Sequence, residues 1–282
     1  LTQVVWLASY PKSGNTWLRA FLANYLTEDE NPFDINKLPQ FSFGDMRIEH
    51  YVRVSGKPAD LLTANDIDRL RPEVHRYFAK ARHGLVFVKT HSAIGLLGNV
   101  PTITAEVTFG AIYIVRNPLD VVVSYSHHNG VSLDTAIDVL CFPNFRVSPG
   151  NGQVPQLLGD WTSHVRSWLD APGLHRMVLR YEDMLASSLA AFEAIVDFLK
   201  LPRDRRKLKR SVRNSSFDVL AGQEERQGFR ERPAPAERFF RRGGSGAWRD
   251  ELSAQQVQRI LERHRPTMIE LHYLSPSGEF PS

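Results

Sequence analysis

A short apolar run, Val4-Val-Trp-Leu-Ala8, leads straight into the polar turn Ser9-Tyr-Pro-Lys-Ser-Gly-Asn-Thr-Trp17, and this junction constrains the fold more than any other stretch. The run reads as a buried strand. Beyond the turn, Leu18, Phe21, Leu22 and Tyr25 recur at helical spacing. The chain therefore passes from strand through tight loop to helix, with Lys12, Ser13, Gly14, Asn15 and Thr16 at the turn. Backbone N–H groups at such a turn, together with the positive end of the helix, form a cradle for an anion. Gly14 lets the backbone come close to a ligand, Thr16 offers a hydroxyl and Lys12 a full charge. The plain alternative is a polar strand-to-helix connection, common in α/β proteins. A Walker A loop is excluded, because Gly-x4-Gly-Lys-Ser/Thr requires glycine before the lysine and here Lys12 precedes Gly14.

Leu85-Val-Phe-Val-Lys89, Ala111-Ile-Tyr-Ile-Val115 and Arg176-Met-Val-Leu-Arg180 read as further buried strands. Helices are expected over 63–82, 118–127, 155–169, 185–199 and 253–273, with Thr63 and Asp66 as a cap, Pro118 in a first turn and Pro266 as an interruption or kink. The densely basic 203–213 reads as a solvated helix face. Residues 27–60 read as loops and short helical turns, and 229–246 as a long loop of the kind that is functional or mobile. The alternation predicts an α/β fold: a central, mostly parallel sheet flanked by helices. In such sheets ligands bind beyond the C-terminal strand ends, and the chemically notable residues fall there.

After the second strand comes Val88-Lys-Thr-His91, which puts Lys89 and His91 on one strand end. A lone histidine there is commonly structural. Beside an anion loop, its ordinary pKa near ~6.5 suits removal of a hydroxyl proton. After the third strand, Arg116 and Ser124 stand about two helical turns apart, a spacing at which a guanidinium and a hydroxyl can grip one phosphate. Alone, Arg116 could equally pair with Asp120. Tyr181-Glu-Asp follows the fourth strand, with Ser215-Ser-Phe217 and Phe240-Arg-Arg-Gly-Gly-Ser-Gly-Ala-Trp248 further on.

Taken in order, these segments resemble the sulfotransferases that use 3′-phosphoadenosine 5′-phosphosulfate (PAPS), from Val4 to Trp248. The first loop resembles their phosphosulfate-binding loop, Val-Lys-Thr-His the segment bearing the catalytic base, and Arg116 to Ser124 the 3′-phosphate motif. The resemblance implies a P-loop-like sulfotransferase fold, one domain over 1–282, PAPS as donor, no metal, and a small hydroxylated acceptor. It implies that His91 takes the acceptor proton, Lys12 neutralises the bridging oxygen, and Lys89 with the loop amides holds the sulfuryl oxygens. Trp17 would stack on adenine with Ser215 and Phe217 around the ring, Tyr181 would lie at the nucleotide, and Arg241, Arg242 and Gly243 would close over the 3′-phosphate. The chain departs from the family pattern at Asn15, where threonine is frequent, at Arg242 for lysine and at Ala247 for aspartate. It lacks the Lys-x3-Thr-Val-x3-Glu pattern of many dimers, so the oligomeric state stays open. The acceptor pocket is expected within 33–51, His127, His128 and 131–145.

Composition bounds the alternatives. A net charge of +4, with 35 basic residues against 31 acidic, favours anionic ligands without demanding nucleic acid. The single cysteine, Cys141, allows no intrachain disulfide and no cysteine metal site, and reads as a buried apolar filler. The first apolar run is too short for a signal peptide, and no stretch approaches the roughly 20 apolar residues of a membrane span, so a cytoplasmic location is expected. A small-molecule kinase using ATP and a non-catalytic nucleotide-binding protein are the rival readings.

Overall fold

In the computed structural model, which describes residues 3–281, Gln3–Ser9 is β1 and Asn15–Leu26 is α1. Strands β2 (Phe43–Gly44), β3 (Leu85–Thr90), β4 (Thr108–Val115) and β5 (Arg176–Arg180) join β1 in a five-stranded sheet ordered β2-β3-β1-β4-β5. Every pairing in it is parallel. β1 takes the centre because it is apolar on both faces and needs cover on both. Its register sets Ala8 against Thr90 and Tyr113, so the C-terminal ends of β1, β3 and β4 lie level.

Strand alternation sorts the core into two layers. Val5 and Leu7, with Ile112 and Ile114, pack on Leu18, Phe21 and Leu22 of α1. Val4, Trp6 and Ala8, with Tyr113 and Val115, pack on the opposite layer. The remaining longer helices are α2 (Ile48–Ser55), α3 (Ala64–Lys80), α4 (Pro118–Asn129), α5 (Leu133–Cys141), α6 (Trp161–Leu169), α7 (Tyr181–Ala186), α8 (Ser188–Phe198), α9 (Arg205–Asn214), α10 (Phe217–Gln227) and α11 (Ala254–Glu270). The first-turn chemistry read from the sequence is present. Thr63 and Asp66 close a capping box on α3, and Asn117 caps α4 with Pro118 in its first turn.

Several expectations change. The helix expected over 155–169 begins only at Trp161, because Asp160 caps it by accepting from Ser163 N, while Gln156–Leu157 pairs with Arg146–Val147. The helix expected over 185–199 is two helices, broken at Ser187, whose ψ of 66° leaves the helical region. Pro266 sits inside α11 without ending it. Cys141 is only partly buried, its Sγ 3.6 Å from His264 Nε2, and burial raises its thiol to about 11. The basic helix α9 is capped by Asp204 and turns Leu208 inward, while Lys207 reaches Glu28 at 2.7 Å. Residues 229–246 contain no helix or strand, as read from the sequence. Among the described residues no helix is long and apolar enough to cross a membrane.

Candidate active site

The turn after β1 is held in a conformation that few residues adopt. Lys12 has φ 70° and Gly14 φ 104°, both left-handed, and Gly14 is the residue just before α1. A Cβ on Gly14 would lie 2.7 Å from the Tyr181 ring, so glycine is required by space as well as by φ. Asn15, the departure from threonine, turns into the protein. Its amide donates to Leu7 O at 2.8 Å, which ties the helix start to the strand end. Trp17 meets the Tyr181 and Phe192 rings edge-on, at 5.9 and 5.3 Å.

Beyond the strand ends lies a cavity of about 1120 Å³. Lys12, Gly14, Asn15, Thr16 and Trp17 line it from the first loop, with Lys89 and His91 from the β3 end. Arg116, Ser124, Tyr181, Phe217, Arg241, Arg242 and Gly243 complete the set, so the topology gathers nearly every residue singled out in the sequence. Two stand apart. Ser13 is fully buried with its Oγ unpartnered and is not on the cavity wall. Ser215 is a correction: its hydroxyl is buried and donates to Ser211 O at 2.8 Å, and its neighbour Ser216 lines the cavity instead.

His91 has a defined tautomer. Its Nδ1 lies 2.8 Å from the carbonyl oxygen of Ser9, which can only accept, so Nδ1 carries the proton and Nε2 keeps the lone pair. Burial, then the nearby Lys89 charge, holds the ring neutral by pushing its pKa well below the usual value. A neutral imidazole with a free Nε2 is the form a proton acceptor needs.

The cations are arranged around it. Burial, then Arg116 and Lys89, lowers the Lys12 ammonium to about 7. Lys12 Nζ donates to His128 Nδ1 at 2.9 Å and sits 4.5 Å from the centre of the Phe239 ring. His128 thus faces the cavity, and burial lowers it to about 3. His127 instead meets Glu251 at 2.7 Å. Arg116 does not pair with Asp120. It donates to the carbonyls of Lys12 and Gly244, both at 2.9 Å, and lies 4.5 Å from the Tyr181 ring centre. Asp120 accepts from the amides of Gly246 and Trp248 at 2.7 and 3.3 Å, which seats the end of the long loop beside Ala247.

Sequence reasoning passed over several residues here. Glu231, a lone acid among arginines, enters from the long loop and binds Arg19 and Lys89. Glu224 accepts from the amides of Phe239 and Phe240, and Glu251 pairs with Arg241 and Arg242 at 3.2 and 3.3 Å. The acceptor-side wall also differs. Residues 131–145 fold mainly as α5 and stay out of the cavity, while 147–153 line it together with Ser42, Met46 and Arg47, Arg47 bridging to Gln153. Among the described residues, no group of three or more His, Cys, Asp or Glu side chains is placed to hold a metal ion.

The model of the sulfotransferase domain matches residues 2–272. The chain is similar to flavonol 3-sulfotransferase of Flaveria bidentis, 24% identical over 91% of this chain and 78% of that protein. Its fold is similar to that of a mouse sulfotransferase complexed with PAP, with TM-score 0.63 and 18% identity over 99% of this chain and 86% of that one. It is similar also to retinol dehydratase in a complex with retinol and PAP, with TM-score 0.65 and 19% identity over 95% and 81% of the two chains. With the level strand ends, the left-handed turn before α1 and the neutral histidine all in one cavity, and a domain match over nearly its whole length, the chain belongs to the family of PAPS-dependent sulfotransferases.

Proposed function

We propose that this chain transfers the sulfuryl group of PAPS to the hydroxyl of a small-molecule acceptor, in preference to an amine, as one domain over 1–282 in a cytoplasmic setting. The observation that carries this reading is a neutral histidine of fixed tautomer sharing one cavity with two lysines from adjacent strand ends. The chain's residues suit the donor. Trp17 Nε1 and Arg116 Nε, on cavity-lining residues, are buried polar atoms without a protein partner, and Lys12, Arg116, Arg241 and Arg242 supply positive charge.

PAPS supplies an activated sulfuryl group and, in its 3′-phosphate, a second anionic handle. In this reading Lys12, Ser13, Gly14, Asn15 and Thr16 receive the 5′ end, mainly through loop amides and the helix end. Arg116, Ser124, Arg241, Arg242 and Gly243 hold the 3′-phosphate, and Trp17, Tyr181 and Phe217 bound the base. His91 accepts the acceptor proton at Nε2. Lys89 steadies the sulfuryl oxygens, and Lys12 neutralises charge on the leaving oxygen. The protein's part is positioning and electrostatic stabilisation, as in phosphoryl transfer.

Calorimetric affinity for adenosine 3′,5′-bisphosphate (PAP), beside ADP and magnesium–ATP, tests the donor. Clear preference for the bisphosphate supports the reading, and preference for ATP makes kinase the better one. His91→Ala is expected to lower turnover by roughly 10²–10⁴-fold, the usual worth of a general base, with PAP affinity nearly intact. Undiminished turnover in that variant removes His91 as the base.

A further inference from the structure

Glu231 is a buried carboxylate that the transfer chemistry leaves unused. Its side chain is 13% exposed, and it reaches into the cavity from the long loop. Arg19 grips it with two parallel bonds, Nη1 to Oε2 and Nη2 to Oε1, both 2.8 Å. Lys89 Nζ donates to the same Oε2 at 3.2 Å. The two cations are not equivalent. Arg19, on α1, is 2% exposed and also donates from Nε to Ser42 Oγ, so its fork is fixed. Lys89 is 18% exposed, lines the cavity, and spends one of its three N–H groups on Glu231. Arg19 therefore orients Glu231, and Glu231 in turn orients Lys89.

The surroundings give Lys89 a need for such a partner. Arg19, Arg47 and Lys12 act on it as like charges, while His91 and His128 beside it are held neutral. Two acids face it, Asp45 and Glu231. Asp45 is fully buried, its Oδ2 accepts from Thr90 Oγ1 at 2.7 Å, and burial raises its pKa. Lys89 and Arg19 outweigh burial at Glu231 and hold its carboxyl far below the usual range, so Glu231 is the ionised partner. Burial lowers the Lys89 ammonium and Glu231 opposes that shift.

We propose that Glu231 is a positioning residue that fixes the Lys89 ammonium in place and keeps it charged toward the transferring group, so that the active site is complete only with the long loop seated. This inference rests on the reading of Lys89 as the contact to the sulfuryl oxygens. The competing account is that Glu231 serves only to neutralise buried Arg19.

The two accounts separate in Glu231→Gln, Glu231→Asp, Arg19→Gln and the double variant Arg19→Gln with Glu231→Gln, which removes the need to neutralise Arg19 and is compared with Arg19→Gln alone. Reactivity of the Lys89 amine toward acetic anhydride, followed against pH by peptide mass spectrometry, reads its charge without any acceptor. PAPS and PAP affinities by calorimetry at pH 7 and 9 read its contact to the sulfuryl group. In Glu231→Gln the Lys89 midpoint is expected to fall by about one pH unit, a tenfold change in the charged ratio. PAPS affinity should then weaken relative to PAP more at pH 9 than at pH 7. Glu231→Asp should recover part of the shift, and the double variant should show the same fall measured against Arg19→Gln, whose loss of a like charge by itself raises the Lys89 midpoint. A Lys89 midpoint unchanged in Glu231→Gln, or no lower in the double variant than in Arg19→Gln alone, overturns the proposal while wild-type PAPS binding leaves the donor reading standing. A wild type that binds neither nucleotide overturns the donor reading, and the purpose proposed for Glu231 falls with it.

Discussion

Lys12 is poised between charged and neutral at physiological pH, because burial and two neighbouring cations lower it to about 7 from an ordinary value of 10.5. A bound polyanion favours the charged form and raises that value again. Between the free value and the raised one, binding must therefore take up a proton, and below about pH 6 it must not. PAP titrations in buffers of different ionisation enthalpy are expected to show uptake at pH 8 and almost none at pH 5.5. Lys12→Arg should abolish the difference, since arginine stays charged throughout. Gly14 offers a second test at this scale. Gly14→Ala meets both a left-handed φ and the Tyr181 ring, and a forced left-handed residue costs about 1–3 kcal/mol. Lower melting temperature together with weakened PAP binding is the expected result. The tight turn before α1 was legible in the sequence as Lys-Ser-Gly-Asn-Thr. The inward turn of Asn15 was not, because its partner Leu7 O depends on how the strand end is closed.

Helix α6 fixes the backbone behind the chemistry. Trp161 Nε1 donates to Arg116 O at 3.2 Å, His164 Nε2 to His91 O at 3.0 Å and Trp168 Nε1 to Ser92 O at 3.1 Å. Since His164 Nε2 donates, its Nδ1 accepts from the buried Tyr113 hydroxyl at 2.8 Å. The spacing 161, 164 and 168 puts the three donors on one helix face, and all three side chains are fully buried. Helical spacing over 155–169 does not reveal these bonds, because a tryptophan packs as a hydrophobe whatever its N–H meets. Trp168→Phe keeps most of the packing and leaves Ser92 O unpaired, which costs roughly 1–3 kcal/mol. Thermal unfolding should fall accordingly, and kcat should drop while PAP affinity stays within about twofold, since the lost bond holds the β3 loop that carries the proposed base. Equal loss of both parameters would count against a separate role for this face.

Across the whole molecule, the long loop at 229–246 is seated by side chains from several elements and not by regular structure. Glu224 receives its Phe239 and Phe240 amides, Asp120 receives those of Gly246 and Trp248, and Glu251 pairs with Arg241 and Arg242. Cutting one such tie should loosen the loop without unfolding the sheet. In Glu224→Ala, limited proteolysis is expected to cleave within 229–246 faster than in the wild type. PAP should suppress that cleavage, and at 100 times its Kd it also adds about 2.7 kcal/mol to global stability. A loop cleaved no faster in the variant would show that the other ties suffice.

What the sequence determined by itself is whatever depends on local order. It set the apolar runs that must be buried strands, the cap of α3, Pro118 in the first turn of α4, and the tight turn before α1. It also set the presence of Lys89, His91 and Arg116 at strand ends, because a parallel sheet makes those ends a shared rim. Only the tertiary structure decided the pairings between distant residues, since side-chain hydrogen bonds and charge depend on burial and approach that no spacing encodes. It broke the expected helix at Ser187, turned Ser215 away from the cavity and kept 131–145 outside it. It brought Glu231 across to Arg19 and Lys89, a contact 142 residues apart for the lysine. A buried arginine and a partly buried lysine there need a counter-charge, and the fold, not the neighbouring sequence, selects which acid supplies it.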